Sequence, residues 1–220
     1  MRSSIPAATG PRRPSRTTNR VRRAALLSTI FAALLALTVP QRAFACACCT
    51  NYGQRNVDVV AFDGGKRAEL ESLRFAEKAQ LFVGEGDPES VKGITSPSES
   101  YALKAAWQGN QLIFDLRDAQ GHAGALTLSV PGKISIFEVD PRDSPDQGSG
   151  PALYKEWKLT GKVAGSGVFS AGAGPKQLLT LIVQGRGNSC TSSIDFSHWT
   201  LVMEGPKANY SFFGELVQTQ

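Results

Sequence analysis

The chain has 220 residues, with 24 Lys and Arg against 19 Asp and Glu, for a formal charge of +5. Eight of those bases and none of the acids precede residue 46, so residues 46–220 carry a net charge of −3. That balance offers no basic face for nucleic acid and no steering toward anionic lipid, and four cysteines are too few for a disulfide-built scaffold.

Taken in chain order, the first segment reads as an export leader. Arg2, Arg12, Arg13, Arg16, Arg20, Arg22 and Arg23 precede Ala24–Val39, which is apolar apart from Ser28, Thr29 and Thr38, and Pro40 stops any helix. The apolar run is shorter than the roughly 20 residues that cross a bilayer core, which favours a leader over an anchor. Ala43-Phe44-Ala45 supplies a small-x-small cleavage signature. The expectation is a signal peptide over 1–45 and a single β-rich exported domain over 46–220, periplasmic in a bacterium or secreted. Arg22-Arg23 before Ala24-Ala25-Leu26-Leu27 also fits twin-arginine export. Lipidation of Cys46 is the lesser variant, because Ala43 stands where a lipoprotein site wants a branched aliphatic residue. Only that variant would bring membrane contact.

Beyond residue 46 the dominant period is two, which puts alternate side chains on one face of a strand. Tyr101–Trp107 and Gln111–Arg117 flank Gln108-Gly109-Asn110, a hairpin with a loop of about three residues. Leu126, Leu128 and Val130 share the next face; Pro131-Gly132 breaks that run and Ile134–Val139 resumes it. Pro141–Pro151 reads as a surface loop. Leu153, Lys155, Trp157, Leu159 and Val163 alternate with Tyr154, Glu156, Lys158, Thr160 and Lys162, giving a half-buried strand with one largely apolar face. Leu178–Val183 is continuously apolar, as a strand buried on both faces would be. Trp199–Glu204 and Tyr210–Val217 form a last hairpin with Tyr210, Phe212 and Leu216 on one face. The one helical candidate is Arg67–Lys78. The fold class predicted is all-β, an antiparallel sandwich or barrel of about 8–10 strands with at most one short helix.

The cysteines cluster. Cys46, Cys48 and Cys49 lie within four residues and Cys190 stands far downstream. The first reading is structural: Cys48 or Cys49 bridged to Cys190, which clips the start of the domain to the Gly185–Ser189 loop. The alternative is metal. Four thiolates, or three with His198, suit copper(I) or zinc, although Cys190 lacks the second arm of a C-x2–4-C pair. A thiol redox role is weaker, since such a motif usually opens a helix after a strand.

Asp195, Ser197 and His198 invite a triad reading. A triad is a spatial constellation, however, and a capped turn before Trp199 accounts for Asp195 and Ser197. His122 sits in a glycine turn and reads as a solvated loop residue. The chain has no G-x-S-x-G, H-E-x-x-H or P-loop pattern. Trp107, Trp157, Trp199, Tyr101, Tyr154, Tyr210 and Phe212 could line a barrel mouth, but aromatics at strand spacing are more often core. The function expected is non-enzymatic, either ligand binding or a structural and interaction role, with no cofactor. The alternative is copper or zinc handling by the cysteine cluster with Cys190.

Overall fold

The computed structural model describes residues 53–83, 86–141, 153–189 and 192–217. The leader, the cleavage site at Ala43 and Ala45, Arg22-Arg23, all four cysteines and most of the 141–151 loop lie outside the described residues. Eleven strands and one α-helix are assigned among those described: β1 (Arg55–Ala61), α1 (Gly64–Ser72), β2 (Arg74–Phe75), β3 (Lys78–Phe82), β4 (Ser100–Gln108), β5 (Gln111–Arg117), β6 (Ala123–Ser129), β7 (Lys133–Val139), β8 (Leu153–Gly165), β9 (Leu178–Gly187), β10 (Phe196–Glu204) and β11 (Tyr210–Val217).

The choice between sandwich and barrel resolves to a barrel. Strands β3, β4, β5, β6, β8, β9, β10 and β11 pair in that order, all antiparallel, and β11 returns to β3. The circuit is closed by β8, whose 13 residues outlast its neighbour β6. Its C-terminal part pairs with β6 and its N-terminal part with β7. Pro131-Gly132 is the reason, because proline cannot donate to a ladder and interrupts one long strand into β6 and β7. Past this break, β7, β8 and β9 run on beyond the closed barrel, and β1 pairs along the far edge of β7.

Eight strands leave an interior just wide enough for side chains. The alternate positions predicted to face inward, Leu112, Phe114, Leu116, Leu126, Leu128, Tyr210 and Phe212, do so, and they pack into one apolar cluster with Leu179, Leu181, Val183, Trp199 and Leu201. Leu153, Trp157 and Leu159 are buried on one face of β8, as the register required. Aromatic rings fill the middle. Phe212 meets Tyr101, Tyr210 and Phe169 edge-on at centroid distances of 5.4, 5.6 and 5.9 Å. Tyr210 Oη and Trp199 Nε1 end in this interior without hydrogen-bond partners among the described residues, and burial holds the Tyr210 hydroxyl well above the ordinary phenol range. Tyr101, Trp157, Trp199, Tyr210 and Phe212 are core, not the lining of a mouth.

Both ends of the barrel are covered. At one end α1 lies over the β4–β5 turn: the Arg67 guanidinium sits 5.4 Å from the Trp107 ring centre and donates to Gly109 O, while Leu70 turns inward. Asp63 caps the helix, its side chain accepting from Lys66 N at 2.9 Å. At the other end Ile94, Phe169 and Ala208 are buried, and Thr95 N donates to Val168 O at 2.8 Å.

Three expectations change. The helix runs Gly64–Ser72 instead of Arg67–Lys78, because Arg74 and Phe75 pair with β11 and Lys78 opens β3. The β4–β5 loop is two residues, Gly109-Asn110, since Gln108 and Gln111 pair directly and Gly109 supplies the positive φ of 55°. Strand β9 is buried on one face only, with Leu178 45% exposed.

Candidate functional site

The end where β8 and β9 outrun the barrel carries the polar residues. Lys155 lies on the core-facing side of β8, between Leu153 and Trp157, and is 1% exposed. A buried ammonium needs partners. Its Nζ donates to Asp195 Oδ2 at 2.7 Å and to Ser192 O at 2.9 Å. Asp195 in turn accepts from Ser189 N at 2.9 Å and lies 3.3 Å from Ser189 Oγ. Burial pushes its carboxyl up, but the bonds from Lys155 and Ser189 outweigh this and hold it below the usual carboxylate range. Glycine makes the approach possible. A Cβ on Gly185 would stand 1.9 Å from Asp195 O, and one on Gly187 would stand 2.0 Å from Asp195 Cγ. The segment before β10 therefore folds down onto β9 and reaches Lys155 across it.

Glu138 sits directly opposite Lys155 on β7 and is buried, with Oε1 lacking a hydrogen-bond partner among the described residues. Burial pushes its carboxyl above the usual range; Lys155 opposes that and Asp58 adds to it. Helix α1 is tied to the same corner, because Glu69 accepts from Ser193 N at 2.8 Å.

On the outer side of this corner a cleft of about 510 Å³ is lined by Tyr154, Gln184, Arg186, Ile194, Ser197 and His198, with Gly185 and Asp195 at its floor. A β-bulge builds it. Phe196 pairs with Gly185 and His198 with Gln184, so Ser197 is the extra residue. Regular pleating would send Ser197 and His198 to opposite faces; the bulge turns both toward the cleft, Ser197 Oγ lying 2.8 Å from His198 Nδ1. Tyr154 Oη donates to Glu156 Oε2 at 2.8 Å and lies 3.0 Å from Gln184 Oε1. Burial, then the Glu156 carboxylate, push that hydroxyl far above the ordinary phenol range, so it stays protonated. The Arg186 guanidinium makes no hydrogen bond or ion pair among the described residues.

No protein-family model, curated protein or solved structure matches this chain. Function therefore has to come from the chemistry of the cleft itself.

Asp195, Ser197 and His198 all reach the cleft, yet Asp195 directs its carboxylate to Lys155 and Ser189, and Ser197 is the group on the imidazole. Among the described residues no three His, Cys, Asp or Glu side chains are disposed around a metal position. Cys46, Cys48, Cys49 and Cys190 lie outside those residues. Lys155 was missed as a site residue. Its signal was a lone charge on the apolar face of a strand.

His122 is more constrained than a free turn residue. Asp118 accepts from His122 N at 2.8 Å and lies 2.8 Å from its Nδ1. Burial raises the Asp118 carboxyl, but the contacts from His122 outweigh it and leave the group below 3.8. Asp118→Ala is expected to lose about 1–3 kcal/mol by stranding these donors. A folded-state pKa below the unfolded one means the stabilisation is present above pH 3.8 and fades as pH falls through the folded value. Urea midpoints of wild type and variant should thus differ at neutral pH and converge in strong acid.

Proposed function

We propose that residues 46–220 form an exported, non-enzymatic binding domain. Its site is the cleft between the ends of β8, β9 and β10, and its ligand is a small polar molecule bearing a carboxylate or phosphate. One observation carries this reading: an Arg186 guanidinium, unpaired among the described residues, beside hydroxyl and imidazole groups that a β-bulge brings to one side. Arginine suits planar anions, and the cleft has the volume of a small-molecule site. Of the acids at the cleft, Asp195 is paired with Lys155, and Glu156, which accepts from Tyr154, is paired with Lys158. Calorimetric titration with inorganic phosphate and with acetate tests the proposal. Arg186→Ala is expected to weaken binding about tenfold or more, the loss of a charged hydrogen bond, and His198→Ala to weaken it less. Equal affinity in Arg186→Ala, or no binding of either anion, contradicts it.

The cysteine clip belongs to the same proposal. Arg55, Val139, Tyr154 and Arg186 lie in one row across β1, β7, β8 and β9. At the usual strand spacing that row spans roughly 14 Å. The six residues from Cys49 to Arg55 span at most roughly 20 Å when extended, a tether long enough to permit a bridge to Cys190. A disulfide is the first expectation. Copper or zinc on the same thiols is the second, and thiol alkylation with metal analysis on purified protein separates them.

A further inference from the structure

We propose that the cleft is one end of a longer site, and that its ligand is an elongated molecule with an apolar middle and an acidic group at each end, laid across the outer faces of β9, β8, β7 and β1. This longer site rests on the anion-binding role proposed for the cleft and extends it.

The row that starts at Arg186 carries the proposal. Arg186, Tyr154, Val139 and Arg55 are successive partners across the four strands, so their side chains leave the same face of the sheet. An arginine stands at each end. Both are exposed, and neither guanidinium makes a hydrogen bond or ion pair among the described residues. Between them the surface is apolar. Phe137, next to Val139 on the same face of β7, meets the Tyr154 ring edge-on at a centroid distance of 6.1 Å. Val57 pairs with Phe137 and is 63% exposed; Val59 follows on the same face at 68%. Single apolar residues at a surface are ordinary, but a continuous apolar strip that joins two uncompensated cations marks a place where a ligand lies.

The acids near the strip leave both arginines available. Glu156 stands between Phe137 and Gln184 in the adjoining row, but its side chain is only 13% exposed and lies 2.8 Å from Lys158 Nζ. Asp58 and Glu138 alternate to the opposite face of β1 and β7. The row from Arg186 to Arg55 spans roughly 14 Å at the usual strand spacing. Extended decanedioate is a little shorter than that, and the two arginine side chains cover the difference.

Calorimetric titration with acetate, decanoate and decanedioate tests the proposal. Decanoate is expected to bind about tenfold or more tighter than acetate, since even two buried methylenes are worth about fourfold each. Decanedioate should gain about a further tenfold from Arg55, the scale of a charged hydrogen bond. Arg55→Ala should bring decanedioate down to decanoate, and Val57→Asp should bring both down toward acetate. Unchanged acetate affinity in each variant shows that the fold is intact. Equal binding of all three to wild type overturns the elongated ligand and leaves the anion cleft standing. Equal binding of decanoate and decanedioate overturns the second acidic group. No binding of any of the three overturns the cleft itself, and the longer site with it.

Discussion

Phe212→Ala is expected to cost about 3–5 kcal/mol, the range for truncating a buried aromatic. Phe212 is the hub of the barrel interior, with Tyr101, Tyr210 and Phe169 packed edge-on around it. Truncation opens a cavity between rings that cannot collapse without moving β4, β11 and the short turn that carries Phe169, and it forfeits three favourable ring contacts. Native domains hold only about 5–15 kcal/mol in all, so this one change approaches the threshold for unfolding. The control is the next residue. Phe213 is 39% exposed on the outer face of β11, and Phe213→Ala should cost under about 0.5 kcal/mol. Urea midpoints of the two variants therefore test the register. Similar losses for both would mean β11 does not present alternate residues to a closed interior.

The second large effect is at Lys155. Lys155→Met is expected to lose about 3–5 kcal/mol, because removing one member of a buried ion pair strands the other. The Ser189 donors still solvate Asp195 and soften the loss. Lys158, three residues on, is 44% exposed and paired with Glu156 on the outer face, so Lys158→Met should change stability by under about 1 kcal/mol. Equal urea midpoints for the two variants would contradict the placement of Lys155.

Most of the barrel could be read from alternation, and the parts that could not have physical reasons. Runs such as Leu112-Phe114-Leu116 face a closed interior, and period two is strong wherever one face is buried. Strand β1 was not predicted. It is an edge strand outside the closed circuit with Val57 and Val59 both exposed, so burial imposes no alternation on it. Strand β3 is five residues long and only Ala79 and Leu81 point inward, too short a pattern to register. The apolar run at Leu178–Val183 suggested burial on both faces, yet outward Leu178 is simply tolerated at the surface.

The site was less legible because two of its devices are relational. A single extra residue in β10 puts Ser197 and His198 on one side, and that count exists only against the partner β9. The Lys155–Asp195 pair spans a strand and depends on two glycines whose missing side chains are informative only once the fold shows what fills the space. Reading Asp195 with Ser197 and His198 was reasonable from proximity. Lys155, distant in sequence, competes for the carboxylate and wins by burial.

The central claim is that binding happens outside a filled barrel, at the β8–β9–β10 corner. Amide chemical-shift mapping during a phosphate titration tests it most directly. Shifts confined to Tyr154, Gln184, Gly185, Arg186 and Ile194–His198 are predicted, with the interior strand residues around Phe114, Leu128 and Phe212 unmoved. Shifts centred on those interior residues, or none anywhere at saturating phosphate, would contradict it.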